Sequence, residues 1–184
     1  IDIIGVKQRY DAYKTDEYRR ELKKHCQTFD EYLVSLDMKV DIHEATPIEY
    51  ARISELTQRT NRMTNGIRYT VKELKTHVTN PEFKLYSVSL SDRFSNLGIV
   101  GAMAVENDEL QLFSLSCRAL GRNIETTMLD VIKCRHEITR YRFCNTSKNG
   151  KIRSILEECK VSGDRLGSSI MKASALSISS VAFK

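Results

Sequence analysis

The chain has no tryptophan, only two prolines and no Cys-x-x-C pair in its 184 residues. No apolar run approaches the roughly 20 residues that a bilayer-spanning helix needs, so no membrane partner is expected. No charged-then-apolar signal segment opens the chain. Its first residue is Ile rather than Met, and we expect a piece of a longer protein. The five cysteines (Cys26, Cys117, Cys134, Cys144, Cys159) are odd in number, and several lie in apolar runs where a reduced thiol packs as a small hydrophobe. A reducing, cytoplasmic setting without a disulfide framework is the expectation. The four histidines are scattered without ligand spacing, which reads as ordinary surface or partly buried histidine rather than a metal site. Zinc fingers, RNP-like strands and an aromatic stacking series are all missing, which argues against a nucleic-acid partner.

What is present suits one ordinary domain, with 41% hydrophobic residues for a core and 29% charged residues for the surface. Net charge is +5, and it is unevenly spread. Basic and acidic residues number 7 and 8 over 1–38, 13 and 13 over 39–138, and 9 and 3 over 139–184. The C-terminal surplus suits a phosphate-bearing ligand or an acidic protein partner, and it equally suits a solvated basic face.

Residues 1–37 read as a helical arm whose Tyr18, Leu22, Phe29, Leu33 and Leu36 share a face. Core packing is the simplest use of that stripe. Met38 to His43 alternates as a half-buried strand. Two Thr-x-x-Glu capping boxes follow, Thr46-Pro47-Ile48-Glu49 and Thr70-Val71-Lys72-Glu73. The first predicts a helix to about Met63, stopping before Asn65-Gly66, and the second a helix ending before Asn80-Pro81. Strands are expected over Phe83–Leu90, Gly98–Val105 and Glu109–Cys117, joined by hairpin-length turns. An amphipathic helix begins near Ile124, carrying Met128, Val131, Arg135 and Ile138 on one face. Tyr141–Cys144 reads as a short strand and Lys151–Cys159 as a short helix. The Ser-rich tail over 161–184 has no clear assignment, although 176–178 and 181–183 suit strands.

The most informative stretch is Ser116-Cys117-Arg118-Ala119-Leu120-Gly121-Arg122-Asn123, at a strand-to-helix junction. Arg-x-x-Gly there leaves successive backbone N–H groups at a helix N-terminus, where an anion binds well. The spacing resembles the pyrophosphate loop of the GNAT acetyltransferase fold, with Asn123 in place of the last small residue. The element order, β-α-α-β-β-β-α-β-α, is also that of the GNAT fold. The blocks Ile53–Asn61, Ser116–Glu125 and Thr146-Ser147-Lys148-Asn149 together resemble the FkbH family over roughly 17–149, including Arg19-Arg20 in the connector. The expected class is α+β, a GNAT-like acyl-CoA N-acyltransferase fold. It has a mixed, mostly antiparallel sheet flanked by helices, with 1–37 a connector, 38–160 the domain and 161–184 the tail.

FkbH-like proteins pair an upstream domain of the haloacid dehalogenase type with a GNAT-like domain. The resemblance therefore implies glyceryl transfer onto the phosphopantetheine of an acyl carrier protein, in making methoxymalonyl-type polyketide units. The phosphate-removing Asp residues and the thioester-forming Cys belong to the upstream domain, and Asp-x-Asp is absent here. The implied ligand is coenzyme A or the phosphopantetheine of a carrier protein, with that protein and the upstream domain as partners and no metal. Two departures stand out. Ile155 and Leu156 occupy positions where the family places Phe-Tyr, and the Gly-Phe after the last helix is missing.

Arg118, Leu120, Gly121, Arg122 and Asn123 would cradle the phosphate, the arginines adding charge-assisted bonds. The plain alternative is a turn with exposed arginines. Asn149 would face the pantetheine arm or, equally, cap a helix. Cys117 precedes a cation at a strand end and is a nucleophile candidate, against a small buried strand residue. Glu125 and His136 are base candidates, Glu125 also suiting the helix dipole. Asn61, Arg68 and Tyr69 are substrate-side candidates. Two functions remain open: thioester binding for acyl or glyceryl transfer within a larger acyltransferase-type enzyme, or a catalytically silent docking module. An amine acetyltransferase is disfavoured, because no acid stands where that fold expects one.

Overall fold

A computed structural model of the chain describes residues 3–157. The N-terminal arm is two helices, α1 (Ile3–His25) and α2 (Phe29–Ser35), parted at Thr28, whose hydroxyl accepts the Glu31 N–H at 3.1 Å. Of the predicted stripe, Leu33 and Leu36 are buried and Leu22 packs beside them. Tyr18 and Phe29 stay largely exposed, because the break at Thr28 rotates the two helices' faces out of register.

A six-stranded sheet follows the order β1 (Lys39–Glu44), β3 (Phe83–Ser91), β4 (Asn96–Glu106), β5 (Glu109–Leu115), β2 (Met63–Thr64). Those pairs are antiparallel, and β6 (Arg140–Tyr141) pairs parallel with β5 at Glu109–Leu110. Helices α3 (Tyr50–Arg59) and α4 (Val71–His77) cover one face. Small Ala102 and Ala104 on β4 let Ile53, Leu56 and Leu74 approach it closely. The other face carries the larger core, where Leu36 at the end of α2 and Met128 and Ile132 of α5 (Ile124–Arg135) join Val88, Met103 and Phe113. Ile152 and Leu156 of α6 (Ile152–Glu157) complete it.

Most boundaries lie close to those read from sequence, and the exceptions have physical causes. Thr46 and Glu49 initiate a 3-10 turn, Pro47–Glu49, before α3, with the Thr46 N–H on Glu49 Oε2 at 2.8 Å. The helix stops at Arg59, short of Met63, so that 63–64 can pair with β5. Strand β5 ends at Leu115 rather than Cys117, because the chain turns there into the 3-10 turn Cys117–Ala119, Ser116 Oγ accepting the Arg118 N–H at 3.4 Å. The predicted strand at 141–144 is only Arg140–Tyr141, and α5 ends at Arg135, before Ile138. Cys159 and the tail over 161–184 lie outside the described residues.

The short β6 follows from a bulge. Register slips between Ala104 and Val105, so Gln111 has no partner on β4 and β5 bends away from β6. Asn65 fills the opening. Its Nδ2 donates to the Gln111 and Arg142 carbonyls, both at 3.0 Å, and its Oδ1 accepts the Phe113 N–H at 3.1 Å. Its backbone donates to Phe113 O at 3.0 Å and accepts from Cys144 N at 2.8 Å. Gly66 follows at φ +80°, and any Cβ there would lie 1.9 Å from the Cys144 carbonyl oxygen. Asn65 is fully buried. Replacing Asn65 with Ala orphans two carbonyls and one N–H in a dry interior, so we expect a stability loss of about 3 kcal/mol. It should appear as a lower urea midpoint at unchanged slope. An unchanged midpoint would show that Asn65 does not hold the sheet.

Candidate functional site

Beyond β5 the chain forms one 3-10 turn, Cys117–Ala119, closed by Leu120 N on Cys117 O at 3.2 Å. The Leu120 N–H is therefore spent inside the turn. Gly121 then adopts φ +76° with open space where a Cβ would stand, and Asn123 adopts φ 58° just before α5. Asn123 caps nothing with its side chain, and the first α5 bond runs from Thr127 N to Asn123 O at 3.2 Å. The N–H groups of 121–123 make no backbone bond among the described residues, and those of 124–126 precede the first helical bond. This cluster of donors at the positive end of a helix dipole suits an anion.

Arg122 points the other way. It is buried, its Nη1 3.3 Å from Asp92 Oδ2 and its Nη2 3.1 Å from the Arg118 carbonyl. The Asp92 side chain has no exposed surface. It lies in the β3–β4 turn and also accepts Arg19 Nε of α1 at 2.8 Å and the N–H groups of Phe94 and Ser95 at 3.0 Å each. Arg19 is tied further to Asp16 at 2.8 Å and to Ser95 Oγ at 2.6 Å. One carboxylate thus joins the arm, the turn and the loop. Burial pushes its pKa up, but the Arg19 and backbone hydrogen bonds outweigh this and hold it below the ordinary carboxylate value. Burial and the neighbouring Arg19 charge lower the pKa of Arg122. Arg118 is the exposed arginine of the pair.

The remaining candidates separate. Asn149 is buried, Nδ2 donating to Thr64 O at 3.1 Å and Cys144 O at 2.9 Å, Oδ1 accepting Thr146 N at 2.8 Å. Its amide thus folds the 144–149 turn onto β2, and β2 stands between it and β5. Cys117 is exposed in the turn, not buried in a strand, because β5 has already ended. The Oε2 of Glu125 is buried without a partner among the described residues. His136 bonds the Tyr86 hydroxyl at 2.8 Å, and burial with the Arg135 charge lowers its pKa. It follows α5, roughly 18 Å of helix from the loop.

Asn61 accepts Arg68 Nη2 at 2.7 Å, and its carbonyl accepts the Thr146 hydroxyl at 2.7 Å. Tyr69 is buried, and its backbone is held by Ser54 and Thr57 of α3, Ser54 Oγ donating to its carbonyl at 2.8 Å. Two of the three sequence blocks thus act by tying loops 61–70 and 144–149 together. What sequence reading missed is Asp92, Arg19 and Asn65. Arg19 belongs to the connector block, and nothing in its spacing points to a carboxylate 73 residues on.

Cys117, Arg118 and Leu120–Arg122 of the loop line a groove of ≈ 830 Å³ shared with α1 and the β3–β4 turn. Coenzyme A and phosphopantetheine, the ligands the resemblance implies, fit this arrangement at their phosphate end. The second edge of β5, where an extended arm would seek strand-like bonds, is already filled by β2 and Asn65.

No family model and no curated protein matches the chain. Several solved structures do. A ribosomal-protein-alanine N-acetyltransferase from Brucella melitensis biovar Abortus is 10% identical, with TM-score 0.46 over 70% of this chain and 96% of its own. A protein described as a transcriptional regulator from Bacillus halodurans is 14% identical, with TM-score 0.47 over 70% and 96%. A predicted acetyltransferase with acetyl-CoA from Clostridium acetobutylicum is 13% identical, with TM-score 0.43 over 72% and 97%. The chain's own fold is a mixed α+β sheet flanked by helices, in the element order set out above with β2 added.

Asp92→Asn leaves two buried guanidinium groups without their shared anion, and a loss of about 3 kcal/mol is expected. Because the folded pKa of Asp92 is depressed, its contribution is full above the unfolded carboxylate value near 4 and fades as pH falls through the folded value. Urea melts from pH 7 to 3 should show wild type losing its advantage over Asp92→Asn on the acid side. A constant gap between the two would rule out the linkage.

Proposed function

We propose that this chain is a GNAT-like domain of FkbH type that binds the phosphate end of a phosphopantetheine-bearing ligand, coenzyme A or holo acyl carrier protein. It holds that ligand for acyl or glyceryl transfer carried out elsewhere in a larger enzyme. The observation that carries the reading is the run of N–H donors around Gly121–Asn123 at the N-terminus of α5, beside a groove that five cations line. Gly121, Asn123 and the side chain of Arg118 would hold the phosphate, with Arg122 fixing the loop from beneath. In its acylated form the ligand would supply a thioester, whose carbonyl takes a nucleophile and whose thiol leaves. Exposed Arg140, Arg142, Lys148, Lys151 and Arg153 give the face that would meet an acidic carrier protein.

Two residues support a domain that binds without transferring. Aliphatic Ile155 and Leu156 occupy the positions where the resemblance places Phe-Tyr, the Tyr being the acid for a departing thiolate, and Leu156 is fully buried. A second reading has the chain itself accept the acyl group. It is favoured by the exposed Cys117 on the groove wall, whose thiolate can exchange with a thioester to give an acyl-Cys and a free thiol.

Titration of the labelled protein with coenzyme A should give saturable shifts centred on the amides of 121–125. Arg118→Ala should raise the dissociation constant about tenfold at low salt and less at high salt. Wild-type affinity in Arg118→Ala together with silent loop amides would refute the phosphate assignment. With acetyl coenzyme A the protein should stay unmodified by mass spectrometry. A stable adduct lost in Cys117→Ser would favour the second reading instead.

A further inference from the structure

The closed edge of β5 constrains where the rest of a ligand can go. Any chain leaving the donors at 121–123 toward the β5–β6 opening meets β2 and Asn65, whose bonds use both the N–H and the carbonyl of Phe113. The open path is the groove along α1. Five cations and two carboxylates line that groove, its walls drawn from α1 on one side and residues 117–122 on the other. Arg19 and Arg122 are committed to Asp92 beneath it. Arg20, Lys23 and Arg118 remain, all exposed and none in an ion pair among the described residues. Lys23 is positioned by aromatic rings, its Nζ 5.8 Å from the centroid of Phe29 and 5.7 Å from that of Tyr32. The volume falls within the range of small-molecule sites.

We propose that α1 is half of the ligand site. Arg20 and Lys23 on the arm and Arg118 on the loop grip a phosphate-bearing chain that lies along the groove and does not enter the sheet. This inference rests on the phosphate-binding reading above and extends it. The Arg19–Asp92–Arg122 lock fixes the spacing of the two walls, so the cations face one another across a gap of set width. Phosphate oxygens accept from several donors at once, and opposed cations recognise them better than cations on one wall. The ligand class is therefore a chain whose phosphate lies between Arg118 and the cations of the arm, with the remainder continuing along the groove.

The test uses coenzyme A as probe, with inorganic pyrophosphate and phosphate-free pantetheine beside it. The double variant Arg20→Ala/Lys23→Ala removes two exposed side chains, and its melting temperature should match wild type. Its dissociation constant for coenzyme A should rise about tenfold at low salt. Wild-type amides on α1 and at 121–125 should shift, while those of Phe113, Asn65 and Cys144 keep their positions and their hydrogen-exchange protection. Pantetheine alone should not bind measurably. Undiminished binding by the double variant while Arg118→Ala binds weakly would overturn the arm's role and leave the phosphate reading standing. Shifts or lost protection at Phe113 and Asn65 would show the chain entering the sheet, again overturning the inference alone. No saturable response to coenzyme A or pyrophosphate in wild type would overturn both.

Discussion

The bulge at Gln111 and the asparagine that fills the opening beside it organise this molecule. A parallel strand pair that stopped after two residues would leave β5 with exposed backbone groups at the centre of the fold, and buried amides without partners are costly. Asn65 meets that demand with both faces of its peptide and all of its side-chain amide. Asn149 does the same for β2, one layer further out. Together the two amides join the 144–149 turn to β5 through β2 and residue 65.

The second organising element is electrostatic. Asp92 sits in a turn whose own N–H groups would stabilise a carboxylate without any arginine. Two arginines from distant parts of the chain then converge on it. A buried arrangement of this kind adds little net stability compared with apolar packing, yet it fails badly if one member is removed. Its contribution is geometric, for it sets where the arm lies against the loop. The aromatic contact of Tyr18 with Phe94, ring centroids 6.1 Å apart, reinforces the same junction from outside.

Local signals carried most of the fold. The capping boxes at Thr46 and Thr70, the hairpin spacing of 83–115 and the amphipathic pattern after Ile124 each act within a few residues, and each appears where sequence spacing puts it. What sequence could not show depends on contacts across the chain. Asn65-Gly66 reads as a helix stop, yet α3 has already ended at Arg59, and nothing local says that the asparagine must reach Gln111 and Arg142. Arg122 reads as a ligand-facing arginine because Arg-x-x-Gly-x loops present such groups. Only the arrival of Asp92 beneath it explains why its guanidinium turns inward. At the loop, the backbone donors at Gly121 and Asn123 were legible, since positive φ at those positions follows from residue type.

The single carboxylate at Asp92 has a mechanical corollary. α1 and the loop before α5 are fastened to one rigid point, so tilting the arm cannot leave the loop undisturbed. Any rotation of α1 that drew Arg19 away would strip a buried anion of its strongest partner and shift the whole demand onto Arg122. That side chain also holds the Arg118 carbonyl, so the strain would pass directly into the backbone that presents the N–H donors. The arm therefore behaves as a lever whose fulcrum is a carboxylate, and force applied along it is delivered at residues 118–122.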